Sequence, residues 1–481
     1  MQYPFETQWQ QLDSILQKSM ETEWGKRYAF GEIKSASMWR ERLPVQDYEL
    51  IKQDIFRMMA GEKDVLWHGR CKYFAKSSGT TSDKSKFIPV TEENYEESHL
   101  KGAWRSVALM YENLEDPRVV EGKTMVIVGS SSKDLPGFEG SIVGDVSAVI
   151  LQRTSLVAQQ RLFPTMHVAL MSDFEKKLEI MAHSSIDEDI RMIAGSPTWA
   201  LVLLKKVLEI TGKNNILEVW PQIQIFVHGA VYFEPYRAAF RELFPSPKFA
   251  YQETYNASEG YFAVQSDYAH QDMLLILDNS IFYEFIPMEE WDKEFPQTIG
   301  LESVKINQNY ALVITTNSGL YRYKIGDTIQ FTCLNPFRIK ISGRTKQFIN
   351  VFGEELMVAD TDKAICKVCE KFNLKLVDYS VAPIFQQMNQ KGAHEWLIEF
   401  EDCTVSKDLL ERELDEVLKS INSDYEAKRT GDLAMQQLKI NIASQGTFYR
   451  WLKSKNKLAA QTKIPRLANH RDYINEMLQY I

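Results

Sequence analysis

No run of about eighteen apolar residues occurs in the 481 residues, so no membrane-spanning helix is expected. The opening segment, MQYPFETQWQQLDSILQK, has neither a basic leader nor an apolar stretch and does not read as a secretory signal. Cysteine is scarce. Five scattered residues fit a reducing, cytoplasmic setting better than a disulfide framework. Cys366 and Cys369 form a lone CxxC with no second pair and no nearby histidine, so two thiols on one face of a helix are expected, not a metal site. Basic residues are outnumbered 56 to 65, and the formal net charge of −9 argues against nonspecific nucleic-acid binding and against an anionic membrane surface. Repeats and low-complexity tracts are lacking. So is any convincing Ser-His-Asp or Cys-His arrangement, any G-x-x-x-x-G-K-[ST] loop, and any kinase signature.

What is present is the composition of a folded chain, 44% hydrophobic and 25% charged, too long for one ordinary core. Short β-rich runs at 123–128, 190–194 and 223–228 alternate with helical patterns, which predicts an α/β architecture with largely parallel pairing. From 249 to 335 the pattern becomes strand-dense, with seven short apolar runs. Helical spacing covers residues 5–27, 92–111, 357–372 and 406–422. On 92–111 the apolar face, Leu100, Trp104, Val107, Ala108 and Tyr111, is most simply core. The character changes after Pro336. Residues 1–340 are expected to form a large domain of mixed sheets flanked by helices, with a barrel-like part, and residues 341–481 a smaller α+β domain.

Five segments carry candidate chemistry. The first is 73–91, YFAKSSGTTSDKSKFIPVT, where Ser77, Ser78, Gly79, Thr80, Thr81 and Ser82 run together. Gly79 lets the backbone turn sharply, and the hydroxyls and freed N–H groups can wrap an anion with Lys84 and Lys86 beside it. The same composition describes a solvated turn. The second, ETYNASEG at 253–260, offers Ser258 to a phosphate and Glu259 to a magnesium ion, its plain alternative being an exposed loop with a solvated acid. The third, LYRYKIGDTI, places Asp327 after a glycine at a strand end, suited to ribose hydroxyls or to an ordinary hairpin. In the fourth, GRTKQFINVFGEEL, glycines near both ends make a hinge, and Arg344 could reach a phosphate or ribose. The fifth, QTKIPRL, sets Lys463 near Lys453, Lys455, Lys457 and Arg466, a run that alone reads as solvated surface.

In this order the five resemble the adenylate-forming superfamily of acyl-CoA synthetases, luciferases and peptide-synthetase adenylation domains. The details SSGTT without Pro-Lys-Gly after it, ASEG, HGAVYFEPYR and QTKIPRL resemble one branch, the auxin-responsive acyl-acid amido synthetases, over residues 30–470. Thr-Lys in GRTK departs from the acidic pair common at the superfamily hinge, and the chain is shorter than the plant members.

The resemblance implies an enzyme that joins a small carboxylic acid to ATP, giving acyl-AMP and pyrophosphate, and then passes the acyl group to an amine, an amino acid by analogy. It implies ATP and Mg²⁺, with Glu259 on the metal, Ser77 to Thr81 and Ser258 on the phosphates, and Asp327 and Arg344 on the ribose side. Tyr255, or His228, Gly229 and Ala230, would pack near the adenine, with Asn256 and Ala257 also on the nucleotide. Lys463, on a C-terminal domain expected to be mobile, would bridge the reacting phosphate. Trp104, Trp199 and Leu203 are the acyl-pocket candidates, with core packing as their alternative. The rival activities are a CoA thioester ligase, with lysines 453–457 on the CoA phosphates, and a non-catalytic nucleotide-binding protein.

Overall fold

The computed structural model describes the chain except residues 1–2, 78–85, 231–232, 292, 345–347, 350–353, 355, 386–391, 423–424, 427–428, 430–434, 456, 459–462 and 469. It divides into two compact units, Met1–Ala230 with Pro247–Ile341, and Val231–Ser246 with Ser342–Ile481. The helix Glu234–Leu243, read from the sequence as following its strand within the large domain, therefore groups with the C-terminal unit. The reason is packing. Tyr236 on this helix is 1% exposed, and its hydroxyl accepts from Arg466 at 3.2 Å.

In the first unit Lys123–Val126, Ile190–Gly195, Ile225–His228 and Ala250–Ala257 pair in parallel, as the alternation of runs predicts, with Leu162–Phe163 parallel at the edge. Parallel strands favour apolar runs, and Met125, Ile190, Ile193, Ile225 and Phe226 are the fully buried positions that these supply. Beyond Ala250–Ala257 the pairing turns antiparallel, and the strand-dense stretch continues the same sheet, which has eleven strands among the described residues. A second sheet holds Lys86–Val90, Tyr73–Ser77, Phe138–Gly144 and Ser131–Leu135 in that order. The N-terminal helix Pro4–Ser19 is tied on by Gln8, whose amide donates to the Leu277 and Ile281 carbonyls and accepts from Tyr283 N–H. Beneath it Trp24, Phe30, Trp39 and Tyr321 form one aromatic cluster.

Two segments depart from expectation. The runs YRYKIG and TIQFTCL are one strand, Tyr323–Leu334, so Asp327 lies inside a strand and not at its end. Gly326 there has φ 94°, and the register against Asn309–Thr316 shifts between Ala311 and Val313, the signature of a glycine bulge. The helix predicted over 92–111 is continuous but contains a π-helical turn at Tyr95–Leu100, between Glu92–Asn94 and Lys101–Asn113. The wider turn changes the face that follows. Gly102, Ser106 and Met110 are buried, whereas Trp104 is 62% and Tyr111 39% exposed, so the expected core face is corrected.

The C-terminal unit pairs Leu376–Ile384 antiparallel with Ala393–Phe400, which pairs in parallel with Lys439–Ala443. Helix Lys407–Ile421 buries Leu410, Leu414 and Leu418 as its period predicts. In helix Val358–Phe372 Cys369 is buried and its thiol is pushed up to about 12 by desolvation, while Cys366 is half-buried. No helix among the described residues is long and apolar enough to cross a membrane.

The close approach at Gly102 is testable. A Cβ there would lie 2.4 Å from the Tyr261 ring. Gly102→Ala is expected to destabilise by about 1–3 kcal/mol through overpacking, read as a fall in thermal midpoint, while Trp104→Ser leaves the midpoint unchanged.

Candidate active site

Parallel strands present their carboxyl ends on one edge of a sheet, where ligands bind in α/β folds. Here Gly195, His228 and Glu253 are in register on three adjacent strands, so the chain leaves this edge in three neighbouring segments. These are SPTW at 196–199, the His228-Gly229-Ala230 turn, and the end of ETYNASEG. Gly229 is required, because a Cβ would stand 2.5 Å from the Thr254 carbonyl oxygen. The turn is clasped by the Thr254 hydroxyl, which donates to the His228 carbonyl at 3.2 Å. Ala230 has φ 74°, a strained value for a residue with a Cβ.

ETYNASEG is not an exposed loop. Ala250–Ala257 and Gly260–Val264 form a hairpin in which Ala257 pairs with Gly260, leaving Ser258 and Glu259 as its two-residue turn. Both are buried, at 7% and 6% exposed. Tyr255, on the same strand, donates its hydroxyl to Asp327 Oδ2 at 2.6 Å, and both side chains are buried. That bond brings the third sequence segment to the second. Tyr255 was expected beside adenine. Its hydroxyl donates to Asp327, and its ring packs on Phe262 with centroids 4.8 Å apart. Just before the strand that carries Asp327, the buried Arg322 makes a two-pronged contact with Glu284 at 3.1 and 3.0 Å.

Sequence reasoning missed the group that braces this hairpin. The π-helical stretch and the turn before it direct three side chains at it. Asn94 reaches the Glu259 carbonyl at 3.5 Å, Ser98 Oγ accepts from Tyr261 N–H at 3.1 Å, and His99 Nδ1 lies 3.2 Å from Asn256 Oδ1. His99 is 1% exposed, and its Nε2 has no partner among the described residues. Desolvation pulls its imidazole down to about 4, against the Asn256 contact, so the ring is neutral at physiological pH. With Asn256 Oδ1 accepting, the proton sits on Nδ1. No short-range pattern signals these contacts, which span 157–165 residues. A second unforeseen pair stands by the loop after Lys123–Val126. Lys177, 1% exposed and lowered by burial to about 8, donates to the Val128 and Gly129 carbonyls, while Asp145 accepts from Ser130 N–H.

Of the other candidates, Ser78, Gly79, Thr80, Thr81 and Lys84 lie outside the described residues. Ser77 ends the strand Tyr73–Ser77 and Arg344 ends Phe337–Arg344, and their side chains lie outside the described set. Trp104 faces solvent. Trp199 is 3% exposed, edge-on to Phe174 at 4.5 Å, and Leu203 is fully buried on the same helix, Pro197–Thr211. Lys463 belongs to the C-terminal unit and is half-buried. Lys455, offered for CoA phosphates, pairs with Glu476 at 2.8 Å. Among the described residues no group of three or more His, Cys, Asp or Glu could hold a metal, so a cation on Glu259 would depend on phosphate oxygens, the usual habit of Mg²⁺.

Known proteins decide the family. Residues 1–137 and 137–249 match the GH3 family N-terminal domain, 274–344 the GH3 family central domain, and 359–472 the GH3 family C-terminal domain. The chain belongs to the GH3 family. Its GH3 relatives include indole-3-acetic acid-amido synthetase GH3.3 of Arabidopsis thaliana, 20% identical across 95% of this chain and 88% of that protein. Jasmonoyl–L-amino acid synthetase JAR4 of Nicotiana attenuata is 22% identical across 92% and 86%. Among solved structures, an acyl acid amido synthetase, GH3.15, in complex with 2,4-DB matches with a TM-score of 0.81 at 18% identity, covering 99% of this chain and 94% of that one. A 2-hydroxyisobutyryl-CoA ligase in its postadenylation state matches with a TM-score of 0.64 at 11% identity, covering 98% and 90%. The fold is therefore that of the GH3 acyl acid amido synthetase, and it is shared with the CoA ligase.

Two results are expected from this geometry. Tyr255→Phe removes a hydrogen bond to a buried carboxylate, worth about 1.5–3 kcal/mol. It is expected to raise the ATP concentration for half-maximal activity by about tenfold, measured beside the thermal midpoint. His99 binds its proton more readily unfolded, near 6.5, than folded, near 4. Its contribution to stability is thus complete above 6.5 and is lost as pH falls towards 4. His99→Gln is expected to flatten the fall in thermal midpoint between those values.

Proposed function

We propose that this protein is an ATP-dependent ligase that converts a small carboxylic acid to its acyl-adenylate and transfers the acyl group to an amine, an amino acid by analogy with its relatives' names. The observation that carries the reading is the Tyr255–Asp327 bond, because it joins a ribose-type acid to the strand whose turn bears Glu259. Family membership then supplies the reaction class.

In the first step a carboxylate oxygen attacks the α-phosphorus of ATP, one P–O bond forms, and the bond to pyrophosphate breaks. Both reactants are anions, so the site must screen charge where the oxygens meet. The hydroxyl loop at 77–82, with Lys84 and Lys86, is assigned to the departing pyrophosphate. Asp327 accepts from ribose hydroxyls with Tyr255 holding its carboxylate in place, and the His228–Ala230 turn lies beside the base. Asn256, Ala257 and Ser258 line the same edge, and Arg344 is assigned to the ribose or phosphate. Lys463 donates to the α-phosphate oxygens as charge builds there. Glu259, a buried carboxylate on a braced turn, would hold a Mg²⁺, which when bound would withdraw negative charge from the reacting phosphate.

In the second step the amine nitrogen attacks the acyl carbon, the C–N bond forms, the acyl carbon–oxygen bond breaks, and AMP leaves carrying that oxygen. The amine's proton goes to solvent. Lys463 has then served its purpose, and the C-terminal unit is assigned to turn aside and admit the amine. The acyl group is assigned to the wall that holds Trp199 and Leu203. Trp104 at 62% exposed is not used.

Acid-dependent ATP–pyrophosphate exchange tests the first step, and a broad acid panel without exchange would sink it. Lys463→Ala is expected to lower exchange by about a hundredfold or more, the loss of one donor to a transition-state oxyanion, with ATP affinity nearly unchanged. Equal loss of both would contradict the role given to the lysine. With a reactive acid, mass spectrometry after adding amino acids or CoA distinguishes amide from thioester product.

A further inference from the structure

Three residues beyond Lys463, Arg466 is 6% exposed and meets four side chains. Its Nη1 donates to Asp362 Oδ1, its Nε lies 3.5 Å from Asp378 Oδ1, and its Nη2 donates to the Tyr236 hydroxyl at 3.2 Å. The guanidinium carbon lies 4.9 Å from the centre of the Tyr379 ring, and the Tyr379 hydroxyl donates to Asp362 Oδ1 at 2.6 Å. Desolvation raises both acids, Asp378 to about 6, with Arg466 working against it in each case. The backbone is pinned at the same place. Ser380 Oγ donates to the Pro465 carbonyl at 2.7 Å, Val381 N–H to the Arg466 carbonyl at 2.7 Å, and Ala468 N–H to the Val381 carbonyl. Residues 465–468 thus lie along the strand Leu376–Ile384, with Leu467 bridged in parallel to Val381.

Lys463 is two residues before this anchored stretch, a span of at most about 7 Å of chain, so its backbone has little freedom that the anchor does not set. Pro465 fixes its own φ and restricts Ile464. A buried Arg with two carboxylates is a poor device for stability alone, because desolvation offsets much of the attraction. Its value lies in direction, since a planar fork meeting Asp362 and Tyr236 while Nε faces Asp378 leaves one orientation for the chain that follows.

We propose that Arg466 is the positioning residue of Lys463, holding the lysine's backbone in place without touching substrate itself. This rests on the reading that Lys463 serves adenylation. Arg466→Met combined with Asp362→Asn and Asp378→Asn neutralises the whole cluster and is expected to leave the protein folded. Exchange turnover is expected to fall about a hundredfold, the scale of a displacement near 1 Å, with the ATP concentration for half-maximal rate within about twofold of the parent. In a Lys463→Ala background the same three changes are expected to cost nothing further, because the lysine they position is gone. Parental exchange in the triple variant, or a multiplied loss in the Lys463→Ala background, overturns the proposal. Unchanged exchange in Lys463→Ala alone overturns the role of the lysine instead. Should the triple variant fail to fold, Arg466→Lys decides. It keeps the charge but loses the fork, and is expected to lower turnover with the half-maximal ATP concentration unmoved; parental turnover contradicts the proposal.

Discussion

A hydroxyl 2.6 Å from a carboxylate, Tyr255 to Asp327, joins stretches 72 residues apart in the chain. Both groups are buried, and the bond replaces contact with water that each has lost. Asp327 is swung into place by the bulge at Gly326, and Tyr255 stands on the strand that turns at Ser258 and Glu259. That strand is in register with His228 on its neighbour. One bond therefore relates the His228–Ala230 turn, Asp327 and Glu259, the residues proposed for the base, the ribose and the metal. The Asn94, Ser98 and His99 contacts brace the same hairpin from the opposite side of the chain's order.

Much of this was legible in the sequence. Buried runs at 123–128, 190–194 and 223–228 became parallel strands because continuous apolar stretches suit a sheet covered on both faces. Glu259 and Asp327 were singled out because each acid stands beside a glycine next to apolar runs, although Asp327 proved to lie inside one strand and not at its end. The departures have local causes that pattern reading does not register. A π-helical turn keeps the apolar period while changing the face that packs, so Trp104 went from expected core to solvent, and Gly102 took its place against Tyr261. The Gly326 bulge let a single strand pass for two. The helix Glu234–Leu243 carries no sign of its unit, because what assigns it is Tyr236 meeting Arg466, 230 residues away.

The charge distribution fits anion chemistry inside an acidic protein. A net charge of −9 repels phosphates at long range, so affinity must come from local donors. The residues assigned to phosphate are hydroxyls, backbone amides and single lysines, not a broad basic face. Lys463 follows the same economy. A lone ammonium is a directional donor only if its backbone is fixed, and the ionic cluster around Arg466 does that fixing within its own unit. On the proposed reading, the sequence motif QTKIPRL holds two functions in seven residues, a reacting lysine and the anchor that aims it.

The central claim is that the carboxylate itself becomes bonded to the α-phosphorus. The direct measurement is the fate of oxygen in a carboxylic acid labelled with ¹⁸O, turned over with ATP and an amino acid. An acyl-adenylate path predicts one labelled oxygen in the released AMP and none in pyrophosphate or inorganic phosphate. Label appearing in inorganic phosphate, or an amide formed with unlabelled AMP, would contradict the account.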